Sequence, residues 1–264
     1  MCGYLITAGF YGPSFIFEIP SNQFTAELFI RAYLNSFRQY SIVAANSQNN
    51  SLQELLHFFE KNSEISVELD LDIFKGIESI FIDIEKNPHQ NKNKHQHYKD
   101  LMKFIPNSNE YDYLMIAIRK DSTDQRIIPV INKWNVFHNI LITWINILTP
   151  HFVWGDIMPT LKRDGGTDSR MNVWGYNYYS RQLVDMIGKE RFQELAKSVH
   201  EWNLESVTDG FVLKGFPNPY SMRKTLKTKA KQILHLDEVL HGIINMKSIN
   251  IQKNREKPSE KIIE

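Results

Sequence analysis

Several groups of residues have the types and spacing for chemistry. Cys2 directly follows Met1. Removal of that methionine would leave a thiol and a free α-amine on one residue, a nucleophile with its own base. The plainer reading is a small residue entering a strand. Glu68, Asp70 and Asp72 alternate with Leu69 and Leu71. A period of two places the three carboxylates on one strand face in steps of about 7 Å, where they could hold a cation or a basic partner. The plainer reading is a solvent face opposite a buried one. His95-x-His97, with His89 nearby, puts two imidazoles on one side of an extended segment. Neither a cysteine nor a flanking carboxylate completes a familiar set, so no metal is expected there. His151, Asp156, Asp164 and Asp168 lie around Gly165-Gly166, a loop composition compatible with catalysis. The Gly-x-Ser-x-Gly, P-loop and His-Glu-x-x-His patterns are absent from it.

Two further groups suit recognition. Trp154-Gly155, Trp174-Gly175-Tyr176 and Tyr178-Tyr179 crowd rings beside glycines. Glycine there lets another segment approach closely, which fits a core edge where extended segments pack. Exposed members, Trp154, Trp174 or Tyr176, could instead anchor a partner. Arg223, Lys224, Lys227, Lys229 and Lys231 make a locally basic segment without interleaved aromatics, so nucleic acid is a disfavoured partner.

Composition bounds what these residues can belong to. The chain has 264 residues, with Lys+Arg 31 against Asp+Glu 30 and a net charge of +1. No global field draws it to polyanions or anionic membranes. A single cysteine excludes an internal disulfide framework and a Cys-rich zinc site. The absence of a long apolar run excludes a bilayer-spanning helix, and the N-terminus lacks a basic signal-type region. A cytoplasmic location with no membrane attachment is the default expectation. No cofactor is expected.

The positioning elements follow from periodicity. Tyr4–Phe10 reads as a strand, broken at Gly12-Pro13 and continued by Phe15–Ile19. Ser21 can cap a helix to about Gln39, and Ser51 with Glu54 a short one carrying Leu55, Leu56 and Phe59. Strict alternation marks Ile65–Ile73, and strands follow at Ile77–Ile84 and Tyr111–Ile118. Asp124–Leu148 is the central helix, broadly apolar and stopped by Pro150. Phe152–Ile157 and Asn172–Tyr179 are extended. Ser180 can cap Arg181–Ile187, Gly188 stops that helix, and Lys189–Ser198 is another. Asp209-Gly210 turns a hairpin between Leu204–Thr208 and Phe211–Phe216, and Ser221 starts a last helix to about Ile244. The mixture lacks a βαβ repeat. It predicts an α+β fold, a mixed or antiparallel sheet packed against several helices in a single domain. That domain spans 1–246, with an exposed loop near 86–100 and a flexible tail at 247–264.

Two resemblances attach to these residues. The Met1-Cys2-Gly3 start resembles the class II glutamine amidotransferases, which implies an amidohydrolase using Cys2 as N-terminal nucleophile. That family's glutamine-binding Arg and Asn-Gly elements are not recognisable downstream. The second resemblance covers about 111–244, with the Tyr4–Tyr11 strand as a further match. In order come Thr149-Pro150, Trp154-Gly155-Asp156, Trp174-Gly175-Tyr176-Asn177-Tyr178-Tyr179-Ser180, the Asp209-Gly210 hairpin and Asn218-Pro219. This order resembles bacterial immunity proteins of polymorphic-toxin and type VI secretion systems. It implies a non-catalytic protein that binds and occludes a secreted toxin or effector. The expected contacts are then Glu68, Asp70 and Asp72 with exposed members of the aromatic cluster.

Overall fold

In a computed structural model of the chain, the described residues are 13–37, 42–45, 64–71, 78–85, 111–120, 134–157, 172–219 and 222–239. Their strands are β1 (Pro13–Pro20), β2 (Ile42–Ala45), β3 (Glu64–Leu71), β4 (Glu78–Glu85), β5 (Tyr111–Lys120), β6 (Phe152–Ile157), β7 (Tyr176–Ser180), β8 (Trp202–Val207) and β9 (Gly210–Gly215). The helices are α1 (Ala26–Phe37), α2 (Trp134–Leu148), α3 (Arg181–Ile187), α4 (Lys189–Ser198) and α5 (Lys224–Ile233). All nine strands join one sheet in the order β2-β3-β4-β5-β1-β6-β7-β9-β8, antiparallel throughout. The expected α+β class holds.

Around its central strands the sheet is covered on both faces, which explains their composition. β1 sits at its centre, between β5 and β6. A central strand buried on both sides reads as a nearly continuous apolar run, and Phe15, Ile16, Phe17 and Ile19 are all buried. Phe15, Phe17 and Ile19 pack with α1 and α2; Ile16 packs into a second core built with α3, α4 and α5. α2 buries Phe137, His138, Leu141, Trp144, Ile145 and Leu148 at helical spacing. It ends at Thr149, whose φ of 43° turns the chain sharply ahead of Pro150.

Several boundaries differ from expectation for local reasons. Ser21 does not cap α1: its hydroxyl donates to Asp112 Oδ1 at 2.9 Å, while Thr25 Oγ1 accepts from the Leu28 amide at 3.3 Å. A turn closed by Gln23 N–H to the Pro20 carbonyl separates strand from helix. Ser180 stands at the N-cap of α3 but makes no side-chain capping bond. The expected Ser221–Ile244 helix is interrupted: Arg223 takes the N-cap position of α5, a turn with His235 at φ 53° breaks the helix past Ile233, and helical backbone resumes over 236–239. Asn172–Gly175 precedes β7 rather than belonging to it. The expected Tyr4–Phe10 strand, the Ser51 helix, the first turns of the Asp124 helix, Ser221, the 86–100 loop and the 247–264 tail lie outside the described residues.

Candidate functional site

Among the described residues, a tight group of interacting ionisable side chains forms where α2 lies over the β7-β9-β8 end of the sheet. α2 supplies His138 from the middle of its buried stripe, and Trp134 one turn earlier. β7 supplies Tyr176, which pairs in register with Lys214 of β9. Across the hairpin Glu205 pairs with Val212 and Asn203 with Lys214, so Glu205 and Lys214 are diagonal neighbours on one face.

The geometry is tight. Lys214 Nζ lies 2.8 Å from Glu205 Oε2 and 2.6 Å from His138 Nε2, and His138 Nε2 is 3.0 Å from the same carboxylate oxygen. His138 Nδ1 faces the Tyr176 hydroxyl at 3.5 Å. The Trp134 ring stacks on the imidazole with centroids 5.7 Å apart, and Tyr176 meets it edge-on. Tyr176 is fully buried, Lys214 and His138 nearly so, and Glu205 reaches solvent.

Electrostatics assigns the protons. Burial, and then the Lys214 ammonium, lower the His138 pKa below its ordinary 6.5, against the opposing pull of Glu205. The imidazole is therefore neutral at pH 7. Its Nε2 accepts from Lys214, and Nδ1 carries the proton toward Tyr176. The close approach of Nε2 to Glu205 becomes an ion pair only when the ring is protonated. Burial, the largest single influence, raises the Glu205 carboxyl, but the hydrogen bonds and charges of Lys214 and His138 together outweigh it and the net shift is downward. Burial, with the Glu205 charge, pushes the Tyr176 phenol well up, so it stays protonated. The group thus holds one ammonium, one carboxylate and one neutral imidazole, and it ties a helix to a hairpin.

The aromatic-glycine segments build the neighbouring scaffold. Trp154, Trp174 and Tyr176 are 6%, 5% and 0% exposed. Trp154 stacks on Phe152 and meets Tyr113 edge-on. Buried Asn177 fastens the segment: its Oδ1 accepts from the Trp174 amide at 2.8 Å, and its Nδ2 donates to the Trp174 and Leu213 carbonyls. A side chain at Gly155 would collide with the Phe15 ring, and one at Gly175 with the Pro219 carbonyl. These rings stand in the interior, where they stiffen whatever surface the sheet presents.

The remaining expected residues are placed by backbone alone or lie outside the described set. Glu68 and Asp70 are on β3, opposite Phe81 and Ser79 of β4. The register also sets Glu64 opposite Glu85 and Ser66 opposite Asp83. Alternation therefore places Glu64, Glu68, Asp70, Asp83 and Glu85 on one face of the β3–β4 pair. The buried Ile82 and Ile84 belong to the other face, under α1 and α2. Cys2, Asp72, the His89–His97 segment and Asp164–Asp168 lie outside the described residues. His151 is buried, its ring tilted against that of Tyr111 with centroids 5.3 Å apart, and its Nδ1 is 3.5 Å from Ser180 Oγ. Among the described residues no group of three or more His, Cys, Asp or Glu side chains could hold a metal ion, and no helix is long and apolar enough to cross a membrane.

His138, Glu205 and Lys214 were not singled out as a group by the sequence. The usable signal was one imidazole inside an apolar helical stripe, plus two opposite charges on strand positions whose neighbours Val207 and Val212 pack toward the core. A charge at a core-facing strand position requires a partner.

The class these features define is an antiparallel α+β sandwich with an interior ionic tie and an acidic sheet pair. No family model matches the chain, and no curated protein does. One solved structure, the Pseudomonas aeruginosa T6SS protein PA0821, superposes with a TM-score of 0.49 at 9% identity, over 85% of this chain and 72% of that one.

Proposed function

We propose that this chain is a non-catalytic binding protein of the immunity type, one that covers the working surface of a toxin. The observation that carries the reading is the β3–β4 register, which collects Glu64, Glu68, Asp70, Asp83 and Glu85 on one face. Asp72 follows β3 directly in sequence. A face of this sign suits a basic partner surface. Toxins that act on nucleic acid carry such surfaces, and an acidic stripe can occupy the phosphate track. Support for the immunity assignment comes from the ordered aromatic-glycine segments of residues 149–219. Their rings are buried and Asn177 fastens the segment before β7, and a fixed backbone limits the ordering cost of association.

The test is protection. Cells producing the product of a toxin gene adjacent to this chain's gene are grown with and without this chain. Restored growth, with a one-to-one complex isolated from the surviving cells, is the expected result. Unrestored growth with both proteins present and folded contradicts the proposal.

A further inference from the structure

We propose that His138, Glu205 and Lys214 form a proton-operated latch, which holds α2 to the β8–β9 hairpin at neutral pH and loosens it on acidification. The three groups come from three elements, and one imidazole nitrogen sits within hydrogen-bond reach of both an ammonium and a carboxylate. That nitrogen serves only one of them at a time. Neutral, it offers a lone pair, and Lys214 donates to it at 2.6 Å. Protonated, it becomes a donor and turns to Glu205 at 3.0 Å.

The exchange is simple to balance. The imidazole takes one proton from solvent, Lys214 keeps its three, and the cluster gains one positive charge. Two cations then compete for a single carboxylate, and Nζ cannot remain 2.6 Å from a protonated nitrogen. Lys214 has little room, being 14% exposed, whereas Glu205 beside it is 38% exposed. The ammonium leaves toward that opening, so β9 loses its tie to the helix and only the more exposed Glu205 of β8 still holds the ring. The groups facing His138 are Lys214 from β9, Glu205 from β8, Tyr176 from β7 and Trp134 from its own helix. Tyr176 stays protonated throughout and contributes no second charge. A separate bond, Thr208 Oγ1 to Asn146 Oδ1 at 2.8 Å, ties the hairpin turn to α2 without a titratable group.

The latch is tested on the full chain by NMR titration of the His138 imidazole, alongside amide-exchange protection of β8 and β9 at each pH. The expected result is a midpoint below 6.5, with hairpin protection falling about tenfold across the same midpoint. Lys214→Met removes a repelling cation and raises the midpoint. Thr208→Ala lowers protection at every pH without moving it. His138→Gln abolishes the pH step. A step that persists in His138→Gln, or wild-type protection that does not change across the imidazole titration, overturns the latch. Where His138→Gln does not fold, Lys214→Met decides: a raised midpoint supports the latch, and an unchanged one overturns it.

Discussion

His138 shows what one residue contributes when buried beside a cation. Its pKa is lowered in the folded chain, so the unfolded chain binds more protons once the pH drops below about 6.5. The stability it contributes is complete above that value and is lost as the pH falls toward the folded pKa. Glu205 is also lowered, from 4.5, and adds a loss in the same direction at more acid pH. Thermal melts should therefore show a falling Tm from pH 7 to pH 5, and His138→Gln should flatten that fall. An equal slope in the variant would separate the acid loss from this residue. Lys214→Ala should cost about 1–3 kcal/mol at pH 7, toward the lower end because solvent reaches Glu205. Asn177→Ala leaves the Trp174 and Leu213 backbone groups without their side-chain partner, and chemical unfolding should show a loss of about 2–3 kcal/mol.

At the scale of elements, the sequence was legible where the pattern was local. β6, α3 and α4 fall on the residues their apolar spacing and stop signals predict, and the Asp209-Gly210 hairpin forms between the expected strands. Caps were less legible, because serine hydroxyls have long-range alternatives. Ser21 goes to Asp112, 91 residues away. The ionic tie was not legible at all: its partners are 67 and 76 residues apart, and only the strand order brings β7, β8 and β9 under α2. Glycine placement, by contrast, was readable as close approach, and the structure names the approaching atoms. Gly175→Ala drives a methyl group against the Pro219 backbone, which cannot rotate aside. Denaturant midpoints should show about 1–3 kcal/mol lost, more than for an exposed alanine substitution. Unchanged midpoints would mean that the segment before β7 is free to shift.

For the whole molecule, near-zero net charge conceals a division of sign. The β3–β4 pair concentrates carboxylates at one end of the sheet, and α5 carries Lys224, Lys227, Lys229 and Lys231 with no acidic residue. Long-range steering toward a basic surface then depends on a local field that salt screens within about 8–10 Å. The central claim, a non-catalytic chain that captures its partner through the acidic face, is tested most directly by association kinetics. A toxin that the chain neutralises in the protection test is purified and mixed with the wild-type chain and with the Glu68→Gln/Asp70→Asn/Asp72→Asn variant over a range of salt concentrations. The account predicts an association rate lower by on the order of tenfold at low salt and a shallower salt dependence for the variant. Association rates and salt dependence identical to wild type would contradict it.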